Sequence, residues 1–261
     1  MYLFYCNSRH LRFYSVLLGL LLLLAVGWFL WPGPEIMPTI GEERLVPVYK
    51  VATDQQAVSI SFDASWGAEH TQNILDILDQ HQVKTTFFLV NIWLEDYPAE
   101  AQEIADRGHE IGLHSVTHPR FSQLSVEQIT DELIKNATLI AETTGYLATL
   151  FRPPFGDYNN RVISTASDLG FTTIQWSIDS LDWKDLSADE ISQRVLQNIS
   201  AGDIVLFHNN ALHTAAALPQ ILGALAEKGL AVVPISELLL TGDTYIDSAG
   251  VQRQRDAATN P

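Results

Sequence analysis

Ala57-Val58-Ser59-Ile60-Ser61-Phe62, then Thr71–Gln80, then Thr85-Thr86-Phe87-Phe88-Leu89-Val90 follow one another in the first half of the chain. The outer two runs are short and rich in apolar and β-favouring residues, while the middle one has a helical pattern. A strand, a helix and a second strand in that order read as one parallel βα unit. The unit then repeats. Further β-rich runs lie at Glu110–His114, Ala148–Phe151, Phe171–Ser177, Ile204–His208 and Ala231–Ile235. Helical patterns occupy Ala99–Arg107, Ser125–Thr144, Asn159–Leu169, Ala188–Ser200 and Thr214–Lys228. Ser125-Val126-Glu127-Gln128 has the Ser-x-x-Gln form of a capping box, and Gly108, Gly145, Gly170 and Gly229 follow helix ends. Seven strands alternating with six helices predict an α/β fold built on a parallel sheet. Strand count alone leaves a closed barrel and an open sheet equally open.

Composition narrows the setting. The 261 residues carry 15 Lys+Arg against 31 Asp+Glu, a net charge of −16, and 47% are hydrophobic. That much apolar surface excludes disorder. So strong an acidic excess excludes nucleic acid as a partner, because phosphate binding needs Lys and Arg. The single cysteine, Cys6, excludes an internal disulfide framework and a cysteine-based zinc cluster.

The charge is uneven. Residues 1–34 hold Arg9 and Arg12 and no acid, which leaves 13 bases against 31 acids, or −18, in the remainder. Within that end, Phe13 to Trp31 is a run of 19 uncharged residues. At 1.5 Å per residue a helix over this run is about 28 Å long, close to the hydrocarbon thickness of a bilayer. Trp28 and Trp31 stand at its far end, Pro32-Gly33-Pro34 stops it, and Glu35, Glu42 and Glu43 follow. A cleaved signal peptide has a shorter apolar region, and Ala25-Val26-Gly27 before Trp28 is a weak cleavage site. The expected organisation is therefore a cytoplasmic N-terminus over residues 1–12, a transmembrane signal anchor over 13–31, a spacer over 32–50, an extracytoplasmic α/β domain over 51–241 and a polar tail over 242–261. No feature points to an obligate protein partner.

Residues just after the strands carry the chemistry, because parallel α/β folds place their sites there. Asp63 follows the first strand, in Ser61-Phe62-Asp63-Ala64-Ser65-Trp66-Gly67. His114 and His118 follow the third, and Arg152-Pro153-Pro154-Phe155-Gly156 the fourth. Asp179-Ser180-Leu181-Asp182-Trp183 follows the fifth, and Leu206-Phe207-His208 ends the sixth. Each alone is weak: a strand-end Asp is often a helix cap, and paired His at a spacing of four arise by chance. Their convergence on one rim of one fold is the signal. Asn136-Ala137-Thr138 and Asn198-Ile199-Ser200 fit a glycosylation pattern, but both fall within expected helices and read as accidental.

From Ala57 to Leu240 these motifs, in this order, resemble the NodB-type polysaccharide deacetylases of carbohydrate esterase family four. The Ser-Phe-Asp-x-Ser-Trp-Gly form resembles the sporulation-associated, membrane-anchored branch. The resemblance implies a distorted (β/α) barrel of about seven parallel strands and removal of N-acetyl groups from a cell-wall glycan such as peptidoglycan. It implies a divalent metal, usually zinc, on His114 and His118, with Asp63 as base and His208 as general acid. It further implies that Asp179 holds the His208 imidazolium, that Arg152 orients Asp63, and that Trp183 and Leu206 wall an acetyl pocket shared with Pro154, Phe155 and Trp66. One position departs. The family carries two adjacent aspartates, base then metal ligand, and here the second is Ala64. That leaves two histidines, unless Glu69 or His70 substitutes or Asp63 itself turns to the metal. The competing expectation is a catalytically impaired glycan-binding homologue, with a groove along Trp66, Trp183 and Trp93.

Overall fold

The computed structural model describes residues 15–22, 26, 28 and 43–255. Nine of the 19 residues of the expected anchor over 13–31 lie outside these; among the described residues no helix is long and apolar enough to cross a membrane. Of the described residues, 44–255 belong to one compact unit.

Its centre is a sheet of β2 (Ala57–Ala64), β3 (Thr86–Leu89), β4 (Glu110–Leu113), β5 (Leu150–Phe151), β6 (Thr172–Thr173), β7 (Ile178–Asp179) and β8 (Ile204–His208), in the spatial order β6-β5-β4-β3-β2-β8-β7. Every neighbouring pair is parallel. Helices α1 (Thr71–Gln80), α3 (Pro98–Asp106), α4 (Val126–Thr144), α5 (Asn160–Asp168), α6 (Ala188–Asn198) and α7 (Thr214–Glu227) match the expected ones closely. The Ser125–Gln128 capping box that starts α4 is formed.

The seven strands make an open half-barrel. β6 and β7 are its two edges, yet only four residues separate them in sequence, so the edges lie within about 17 Å of each other. The chain before the domain runs into this gap. Val48 bridges to Ile174 beside β6, and β1 (Lys50–Val51) places Lys50 against Asp203, with a 2.8 Å ion pair.

Two expectations are corrected here. β7 is a parallel strand that was not expected, and the strand expected over Ala231–Ile235 is shorter: β9 (Ala231–Val232) pairs in parallel with the start of β2, while Ile235–Leu238 is a short helix, α8. The expected polar tail over 242–261 is structured in its described part: β10 (Thr244–Ile246) and β11 (Val251–Gln254) form a small sheet with β1, and residues 256–261 lie outside the described residues. Buried Gln252 fixes it, accepting from Leu240 N–H at 2.9 Å and donating to Leu240 C=O at 3.1 Å.

Register decides what faces the open end. Phe62 pairs with Phe87 and Phe207, whose rings stack on it with centroids 4.9 and 5.7 Å apart beneath the helices. The next residue along β2 faces the other way. Asp63 is thus in register with Phe88 and His208 on its two neighbours. Phe88 lies across Gly112 of β4, where an added Cβ would come within 2.5 Å of the ring. Gly112 is what lets an aromatic ring floor the half-barrel.

Candidate active site

Above that floor, Arg152 follows β5 with its guanidinium 4.1 Å from the Phe88 ring centroid. It is fully buried. Nη1 donates to Asp63 Oδ1 at 2.8 Å, and Nη2 donates to Ser61 Oγ at 2.9 Å and Gln175 C=O at 3.2 Å. Burial alone would raise the Asp63 carboxyl, but Arg152, with His114 and His208 nearby, brings it below the ordinary carboxylate range. Asp63 is held as an anion.

His114 Nδ1 lies 2.8 Å from the Arg152 carbonyl, which can only accept, so Nδ1 carries the proton. Nε2 then presents its lone pair, 3.6 Å from Asp63 Oδ2. His118 has its ring centroid 5.0 Å from that of His114 and sits between Trp66 at 4.9 Å and Phe155 at 4.5 Å. Burial lowers both histidines, His118 to about 4, so both are neutral near pH 7.

On the facing side stands His208. Its Nδ1 is 2.8 Å from Asp182 Oδ1, and its backbone N–H donates to Asp182 Oδ2 at 2.8 Å. The Thr214 hydroxyl completes that carboxylate at 2.6 Å. This corrects the expected role of Asp179, whose Oδ1 instead accepts Leu181 N–H at 2.9 Å in its own turn. Leu181 has φ +56°, and the left-handed turn there carries Asp182 inward. Burial would lower the His208 ring, but the Asp182 carboxylate, aided by Asp63 and Asp179, raises it.

These groups open on a cavity of about 600 Å³ lined by Asp63, His114, His118, His208, Asp179, Asp185, Leu206 and four aromatic rings, Trp66, Phe155, Trp176 and Trp183. No Lys or Arg is among the described residues that line it. Pro154 and Trp93, both expected at the pocket or groove, are elsewhere. Pro154 is buried behind Phe155, and Trp93 is a core residue whose Nε1 donates to Gly67 C=O at 2.7 Å. Trp176 and Asp185 line the cavity without having been anticipated, since neither directly follows an expected strand.

The donor set does not fit a family-type metal ion. Ala64 is a buried methyl. Glu69 is exposed, and neither Glu69 nor His70 lines the cavity. Among the described residues no three His, Cys, Asp or Glu side chains are grouped to hold a metal. Asp63, the carboxylate nearest His114, gives Oδ1 to Arg152 and leaves Oδ2 3.6 Å from His114 Nε2.

A family model for polysaccharide deacetylase matches residues 50–174. A peptidoglycan-N-acetylglucosamine deacetylase of Bacillus cereus is 34% identical over 76% of this chain and 74% of its own length. The chain belongs to the polysaccharide deacetylase family. Another member, the peptidoglycan-N-acetylglucosamine deacetylase PgdA of Listeria monocytogenes, is 33% identical over 77% of this chain, which spans only 44% of that protein. In structure, the wild-type BA3943 protein of Bacillus anthracis, a CE4 family pseudoenzyme, superposes with a TM-score of 0.72 at 36% identity, covering 74% of this chain and 68% of its own. A mutant of that pseudoenzyme with restored enzymatic activity also has a TM-score of 0.72, at 37% identity, covering 74% and 71%.

Proposed function

We propose that this family member binds N-acetylhexosamine units of a cell-wall glycan and retains the proton-transfer residues of a deacetylase, with hydrolysis silenced at the metal position. The observation that carries this reading is that position 64, where the resemblance calls for a metal-binding aspartate, is a buried alanine, and that among the described residues no three His, Cys, Asp or Glu side chains are grouped to hold a metal. Two histidines alone make a poor site for a divalent ion such as zinc, which takes at least three protein ligands in catalytic centres.

The rest of the site suits a neutral amide-bearing sugar. Exposed Trp66, Phe155 and Trp183 offer faces for sugar rings. Asp63, held anionic by Arg152, is placed to take a proton from water. His208, held charged by Asp182, is placed to give one to a departing amine. The alternative reading, a working N-deacetylase, is favoured by these two intact pairs and by the names of the curated relatives. The uncharged stretch 13–31, flanked by arginines before and glutamates after, supports a membrane-anchored domain outside the cytoplasm. The Ser-Phe-Asp-x-Ser-Trp-Gly motif supports a sporulation context.

Purified protein is mixed with N-acetylglucosamine oligomers and zinc, and both binding and released acetate are measured. Binding without acetate release is the expected result. Acetate release abolished by Asp63→Asn and His208→Ala would replace it with the deacetylase reading.

A further inference from the structure

We propose that Glu132 and Asn136 of α4, both outside the cavity, are positioning residues that set the His114–His118 loop and, through it, the aromatic wall of the binding site. Four consecutive backbone N–H groups of that loop donate to these two side chains. His114 and Ser115 donate to Asn136 Oδ1 at 2.9 and 3.0 Å. Val116 and Thr117 donate to Glu132 Oε2 at 2.7 and 3.0 Å, and the Thr117 hydroxyl donates to Oε1 at 2.8 Å. Spacing of four puts both acceptors on one face of the helix.

The loop needs such a clamp. Ser115 and His118 are non-glycine residues with φ of +82° and +55°, a region that costs free energy and persists only where the surroundings impose it. Asn136 is fully buried and uses all of its hydrogen-bonding capacity, its amide also donating to Leu89 C=O at 3.0 Å and Asn91 Oδ1 at 2.7 Å. It thereby ties the loop to the end of β3 and to the first residue of helix α2 (Asn91–Asp96). What the clamp presents is His118, the ring against which Trp66, Phe155 and His114 all pack. The use of Asn136 as a loop anchor also removes it as a glycosylation acceptor.

The test uses the full chain without ligand and reads the His118 ring protons by NMR, identified by their loss in His118→Gln. Stacking between Trp66 and Phe155 shifts these protons through ring currents. Glu132→Ala should move them toward the positions of an unstacked imidazole. Glu132→Gln keeps an acceptor oxygen for the two N–H groups and an NH2 for the Thr117 oxygen, so it should restore them. In the same variants, binding of an N-acetylglucosamine tetramer should weaken roughly tenfold and recover. Unchanged His118 shifts in a folded Glu132→Ala protein overturn the proposal. If Glu132→Ala does not fold, Thr117→Val, which removes one of the three bonds, is read the same way. The ligand arm rests on the glycan-binding reading; a wild type that binds no tetramer counts against that reading alone, because the ring shifts are measured without ligand.

Discussion

Asp182 grips His208 at two points, with one carboxylate oxygen 2.8 Å from the ring Nδ1 and the other 2.8 Å from the backbone N–H. Ring and strand end are thus fixed by one buried group, and the imidazolium is the form it favours. The His208 ring is raised above its ordinary value, so the contribution to stability is fully present below about pH 6.5 and is lost as pH rises through the raised value. Denaturant unfolding of the wild type should therefore show stability falling above about pH 6.5, and Asp182→Asn should flatten that fall. Asp179→Asn should leave most of it in place.

Acid should act through other histidines. His109 is buried against the Phe87 ring and lowered to about 4, as is His118, in both cases chiefly by burial. Both take up protons more readily in the unfolded chain, so stability should fall as pH drops from about 6.5 toward 4. Thermal unfolding midpoints measured across that range check this. Together with the His208 effect they place the maximum close to neutrality.

Arg152→Met should be severely destabilising. It removes the counter-charge bonded to Asp63, a carboxylate buried in the half-barrel, a loss worth about 3–5 kcal/mol when one partner of a buried pair is deleted. Adding Asp63→Leu to that variant should recover much of the loss in chemical denaturation. No recovery would mean the guanidinium acts mainly through its packing on Phe88.

Ala64→Asp should bind zinc more tightly than the wild type. Without zinc, the new carboxylate is buried and uncompensated, and the unfolding midpoint should drop. With zinc it should rise, because the ion binds only the folded form. A variant indifferent to zinc would mean that position 64 does not aim at the two histidines.

The described cavity lining carries Asp63, Asp179 and Asp185 against a single cationic ring, His208, and no Lys or Arg. Oligomers of neutral N-acetylglucosamine should therefore bind better than fragments in which muramic acid keeps a free carboxylate. Asp185→Asn should narrow that difference in titration calorimetry, since exposed Asp185 contributes charge without holding the site together.

Much of this was legible from the chain alone. α1 starts and ends where its pattern does, and Ser125 caps α4 as its spacing requires. Asp63, His114, His118, Arg152 and His208 meet because residues after parallel strands share one rim. What stayed hidden depends on backbone turns and on short elements. Asp179 and Asp182 follow the same strand, and only the left-handed Leu181 decides which one meets His208. β7 has two half-buried residues, too few for any periodicity. Glu132 and Asn136 lie in mid-helix, where a polar residue reads as solvent-facing until the loop above it is seen.

The strap formed by Val48 and Lys50 has a mechanical consequence. It enters between the sheet edges at Ile174 and Asp203 and lies parallel to β11, near the far end of the domain's own chain. Tension applied from the N-terminal side is therefore delivered to this seam. Asp203 immediately precedes β8, so such a load enters that strand at the end opposite His208 and the binding cavity.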